Sequence, residues 1–200
     1  MRLLLSSVAL AACAHKLPPA SCPQDVVLAG QDDVAAFASC REARSVTIRS
    51  GARLDTMPLH VERVQTLSIG PTVAIEQLTF PALREVGELR AVSNTSLARL
   101  ALPALERAGS VTIEANVSLT TLVMPRLASC GPFAVRDSAE LELIDVGSLA
   151  TVGALALERD AKLADVESAA LRQAASVTLA DLPSLPAETA DKLRAAVPPQ

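Results

Sequence analysis

The chain has 200 residues, a formal net charge of -4 and a hydrophobic share of 50%; with no run of basic residues it lacks the electrostatic basis for nucleic-acid binding. It holds no Trp, no Tyr and three Phe, so the usual aromatic anchors of tight interfaces and sugar sites are missing. His60 is the single histidine outside the N-terminal segment that carries His15, and neither C-x-x-C nor a phosphate-cradling glycine loop occurs, so no metal and no cofactor is expected.

At the N-terminus, Arg2, an apolar run from Leu3 to Ala12 and small residues ahead of Cys13 read as an export signal over residues 1–12, too short to span a bilayer as a mature helix. The four residues Leu10, Ala11, Ala12 and Cys13 resemble the bacterial lipobox. That resemblance implies cleavage before Cys13 and lipidation of its thiol. Two or more acyl chains, at roughly 0.8 kcal/mol per buried methylene, would hold the protein on a membrane. Ala14 in place of aspartate implies, by the same likeness, the outer membrane of a bacterial envelope, with secretion as the alternative. Residues 13–21 then form a short proline-bearing tether.

Residues 22–43 read as an N-terminal cap. Asp32 and Asp33 stand where a short helix would begin, and acidic residues there satisfy free amides. Cys22 and Cys40 bracket this helix, and in an oxidising compartment such a pair is most simply a disulfide.

From Gln65 the chain repeats every 22 residues for five units: QTLSIGPTVAIEQLTFPALREV, GELRAVSNTSLARLALPALERA, GSVTIEANVSLTTLVMPRLASC, GPFAVRDSAELELIDVGSLATV and GALALERDAKLADVESAALRQA. Such a period marks a solenoid in which each unit buries its apolar face only against its neighbours. Numbering each unit from 1, apolar residues fall at positions 3, 5, 11, 14, 16, 19 and 22, and position 19 is leucine throughout (Leu83, Leu105, Leu127, Leu149, Leu171). Positions 3 and 5 have strand period. Pro81, Pro103 and Pro125 at position 17 argue against one continuous helix across positions 11 to 22.

The expected fold is therefore mainly β: a right-handed parallel β-solenoid of about seven 22-residue rungs over residues 44–183, preferred to a long-helix leucine-rich horseshoe. A C-terminal cap helix and tail follow over residues 184–200, opening at Pro186 and stopping at Pro198. Cys130 at position 22 reads as a buried small apolar residue. Asn94 and Asn116 share position 8 with Thr72, Ser138 and Asp160, and are read as corner asparagines that bond their own backbone or take left-handed geometry.

The order of a cysteine, a capping helix, a second cysteine and repeats of the form G-x-L-x-I-x-x-N-x-x-L-x-x-L-x-L-P-x-L resembles the receptor L-domain, the ligand-binding β-helix of insulin and epidermal growth factor receptors. Cys22, Cys40 and the segments 46–54, 87–105 and 109–127 carry the likeness, which weakens from Glu142 as the repeat's prolines and asparagines fade. It implies a leucine-rich β-helix and a binding role for a protein or glycan ligand.

One outward row tests for chemistry. Position 6 runs Arg49, Gly70, Val92, Glu114, Arg136, Glu158 and Ala180. The alternating signs of Glu114, Arg136 and Glu158 read as a surface charge ladder; the competing reading is a glycosidase-like carboxylate pair. The expected function is a non-catalytic envelope lipoprotein acting as a binding or scaffold module, attached to the membrane by its anchor. The alternatives are a polysaccharide-degrading β-solenoid enzyme and a structural spacer.

Overall fold

The computed structural model describes residues 22–198. In chain order it contains β1 (Asp25–Leu28), α1 (Gln31–Phe37), β2 (Glu42–Ile48), β3 (Arg63–Ile69), β4 (Gln77–Thr79), β5 (Glu85–Val92), β6 (Arg99–Ala101) and β7 (Arg107–Glu114). There follow β8 (Thr121–Val123), β9 (Ser129–Cys130), β10 (Phe133–Arg136), β11 (Leu143–Asp145), β12 (Thr151–Glu158), β13 (Asp165–Glu167), β14 (Gln173–Ala180) and α2 (Ala187–Ala195).

All strand pairs are parallel and fall into two sheets. The long sheet runs β1-β2-β3-β5-β7-β10-β12-β14, with β9 pairing β7 and β12; the short sheet runs β13-β11-β8-β6-β4. The chain is thus a β-solenoid of about seven turns closed by two short helices. Its pitch settles as it grows. Paired residues are 20 apart from Asp25 to Ser45, 21 from Glu42 to Arg63, and 22 from Arg63 to Glu85 onward. The long sheet begins at β1, inside the stretch that sequence alone assigns to the cap.

One turn shows how the pattern becomes a coil. In the unit from Gly87, the residues Leu89, Ala91, Asn94, Leu97, Leu100, Leu102, Leu105 and Ala108 all point inward and are buried. Corners close by short backbone bonds: Leu119 N–H donates to Asn116 O at 3.1 Å, and Leu127 N–H to Met124 O at 3.1 Å. Pro103 and Pro125 sit second in the latter kind of turn, the place where a fixed φ near -65° is favoured. Phe37, Phe80 and Phe133 are all buried in the core.

The long strands bend at position 1, where two successive residues face outward and the ladder skips one pair, between Val64↔Val86 and Thr66↔Glu88. Gly87, Gly109, Gly131 and Gly153 occupy that bend. A Cβ on Gly131 would lie well inside 3.0 Å of the Gly109 carbonyl oxygen, one rung below. The glycines let adjacent backbones approach.

The N-terminal end is sealed. In α1, the Asp33 carboxylate accepts bonds from Ala29 N–H and Gly30 N–H at 2.9 Å, and Val34 and Phe37 pack inward. A disulfide joins Cys22 to Cys40 across a separation of 18 residues, with Cα atoms 5.6 Å apart. Closing a loop of this size stabilises by about 3 kcal/mol in the chain-entropy account. Replacing both cysteines by serine is expected to lower unfolding free energy by that order under oxidising conditions, and not under a reductant, as read from paired urea titrations.

Candidate functional site

Two clusters of charged side chains on the outer surface are built by the same device, while further pairs such as Arg53–Glu76 and Lys162–Glu140 lie apart from them. On the N-terminal half, position 20 carries Arg41, Glu62, Arg84 and Glu106, while position 21 carries Glu42, Arg63, Glu85 and Arg107. The dipeptide inverts from rung to rung. Each column therefore pairs along the solenoid axis: Arg41 with Glu62, Arg84 with Glu106 at 3.1 Å, Arg63 with Glu42, and Arg107 with Glu85. A groove over Ala43, Val64, Val86 and Gly87 follows this checkerboard.

On the C-terminal half the inversion recurs at positions 6 and 7, as Arg136-Asp137 and then Glu158-Arg159. Arg159 grips Asp137 with two bonds, Nε to Oδ1 at 2.6 Å and Nη2 to Oδ2 at 2.8 Å, and donates Nη1 to Glu158 Oε2 at 3.3 Å. The Arg159 guanidinium holds the Asp137 carboxyl below the usual aspartate range. Arg136 Nε, shut from solvent, stands 3.4 Å from Glu158 Oε1 without hydrogen-bond geometry.

Strand register does place Glu114, Arg136 and Glu158 side by side. Among the described residues only the Arg136–Glu158 half of this row forms an ion pair. Exposed pairs of this kind contribute about 0–1 kcal/mol each. Their larger effect is on register, since a slip of one rung would set like charges opposite one another.

The corner asparagines prove to be interior groups. Asn94 and Asn116 are fully buried, and the left-handed backbone falls one residue earlier, at Ser93, Ala115, Asp137, Arg159 and Asp181, with φ between 54° and 58°. In the unit from Gln65 this place is Pro71, which cannot take positive φ, and Gly70 takes it instead at 110°. Position 8 side chains consequently turn inward and bond between rungs. Thr72 Oγ1 donates to Asn94 Oδ1 at 2.8 Å, and Asn94 Nδ2 donates to Asn116 Oδ1 at 2.8 Å. Asn94 Nδ2 also reaches Ile69 O at 3.2 Å, and Asn116 Nδ2 reaches Ala91 O at 2.8 Å.

Asp160 closes the same row. Its Oδ1 accepts from Ser138 N–H at 2.8 Å, but Oδ2 is buried with no partner. Burial pushes this carboxyl up to about 6. Cys130 is buried as well, and desolvation raises its thiol to about 12, which suits an inert core side chain. His60 is exposed, with Nδ1 3.1 Å from Ala38 O.

No protein-family model, curated protein or solved structure matches this chain. The repeat architecture therefore stands on the geometry above. Among the described residues, no group of three or more His, Cys, Asp and Glu is arranged to hold a metal ion, and no helix is long and apolar enough to cross a membrane. Cys13 lies outside the described residues.

Sequence reasoning followed position 6 and missed the larger checkerboard at positions 20 and 21. The signal was present: Arg41-Glu42, Glu62-Arg63, Arg84-Glu85 and Glu106-Arg107 invert in step with the repeat.

Proposed function

We propose that the protein is a non-catalytic module of a bacterial envelope, anchored through Cys13, that presents its long sheet to a protein or glycan partner. The observation that carries this reading is the division of the outer surface. Charged side chains pair with each other from rung to rung. Between the two charged clusters lie small hydroxyl side chains, Ser45, Thr66 and Ser110 at position 2 and Thr47, Ser68 and Thr112 at position 4, interrupted on one rung by the exposed Glu88–Arg90 pair. Small side chains of this kind suit broad, backbone-rich contact.

Two further points support the reading. Arg136 lies between Glu114 and Glu158 in the ladder, filling the gap that a glycosidase pair keeps open for water and sugar. The likeness to receptor L-domains supports a binding role by analogy of fold.

The test is the intact mass of membrane-extracted protein beside a Cys13→Ser variant, followed by crosslinking from position 112. The expected result is a chain beginning at Cys13 with acyl chains, lost in the variant, and a crosslinked product that saturates. An unlipidated chain overturns the anchor, and crosslinking that never saturates overturns the binding role in favour of a spacer.

A further inference from the structure

The two ends of the solenoid are finished differently. At the N-terminal end the edge strand β1 has four residues, carries Asp25 held by Arg44 and Ser45, and has its Ala29 N–H already taken by Asp33. Val26 and Leu28 within it are buried. Short length and an edge charge are the devices by which sheets refuse further strands. At the C-terminal end β14 has eight residues, Gln-Ala-Ala-Ser-Val-Thr-Leu-Ala, with neither charge nor proline. Val177 and Leu179 are only half-buried there.

The rung-to-rung bonds show which backbone groups β14 leaves open. Position 3 donates forward, as Val111 N–H does to Pro132 O at 2.9 Å, and position 7 likewise, as Arg159 N–H does to Ala180 O at 2.9 Å. Position 5 carbonyls also face forward, as Ile48 O does in accepting Gly70 N–H at 3.0 Å. The helix α2 stands where the next short strand would be and closes only the start of the edge, through Ala174 N–H to Ala196 O at 2.9 Å. Both groups of Val177 and Leu179, and the N–H of Asp181, are left without a partner among the described residues.

We propose that this edge pairs with the same edge of a second copy, antiparallel about a two-fold axis at Thr178. The free groups are self-complementary in that arrangement: Val177 exchanges both bonds with Leu179 of the second copy, and Asp181 N–H meets Ala175 O of the second copy, a position 1 carbonyl that faces forward as Gly131 O does in accepting Gly153 N–H at 2.9 Å. Charge agrees. Among the described residues Arg172 and Asp181 belong to no ion pair, unlike Arg159 one rung below, which pairs with Asp137, and the two-fold brings Asp181 of each copy to the end of the strand that holds Arg172 of the other. The uncharged strand brings no like charges together, and the apolar ends of the two cores meet at Val177 and Leu179. This inference does not depend on the anchor or on the partner proposed for the long sheet.

The test uses the full chain in a Cys13→Ser background, so that acyl chains contribute nothing to association. Thr178 is exposed and faces its own copy across the axis, so Thr178→Lys and Thr178→Glu leave the fold intact while setting like charges opposite one another. Light scattering should show a dimer for the parent. Each variant should dissociate at least about tenfold more readily, and an equimolar mixture of the two should recover the dimer. A monomeric parent, an open-ended polymer, a Thr178→Lys variant that remains as tightly dimeric as the parent, or a mixture that stays monomeric would each overturn the proposal.

Discussion

Gly131→Ala is expected to destabilise the fold by about 4 kcal/mol or more, at the severe end for a single substitution. The obstacle is backbone: the added methyl would sit against the Gly109 carbonyl oxygen. Nothing flexible can yield without parting two rungs, and parting them strains the bond by which Gly153 N–H reaches Gly131 O at 2.9 Å. Gly51→Ala is the internal control, because a Cβ there meets nothing within 4 Å. Urea unfolding should show the Gly131→Ala midpoint falling with little change in slope, while Gly51→Ala stays near the parent. Equal stability of Gly131→Ala and the parent would show that the rungs are not packed as closely as described.

Asp160→Asn is expected to stabilise the protein by about 2–3 kcal/mol at neutral pH. The Asp160 carboxyl titrates at about 6, above its ordinary value of 3.8, because burial disfavours its charge. A raised pKa means that the folded state holds the proton more tightly than the unfolded state. The associated stability is fully present below about 3.8 and is lost as pH rises to about 6. An asparagine carries no charge to desolvate. Its amide nitrogen would meet Val135 O, as Asn94 and Asn116 meet Ile69 O and Ala91 O. The difference between variant and parent should therefore be small at pH 4, grow through pH 5 to 6 and level off at pH 7. A difference independent of pH would assign the effect to packing and not to the carboxylate.

Much of the fold was legible because a solenoid translates sequence period directly into space. The leucines at position 19 and the apolar pairs at positions 3 and 5 needed only one rule, that each turn buries its apolar face on the next. Position 8 was read in part: Asn116 Nδ2 does reach the Glu114 carbonyl two residues back, but the left-handed residue is the one before and the side chain is interior. Polar residues at a corner ordinarily face water, and a single unit offers no sign that the corner turns its eighth side chain inward. The inward turn follows from the left-handed residue at position 7, which no side-chain preference at Ser93, Ala115 or Arg159 announces. The N-terminal boundary was blurred because the first turns step by 20 and 21 residues, out of phase with the later repeat.

By itself the sequence determined the period, the strand at positions 3 and 5, the identity of the apolar core side chains and the two capping helices, since these follow from local spacing and from the need to bury apolar surface. Only the tertiary structure decided which polar groups are interior, which charges meet, and which end of the sheet stays open. Those depend on distances between residues a full turn apart, where a few tenths of an ångström of backbone approach or one reversed corner sets whether a group finds a partner, solvent or nothing.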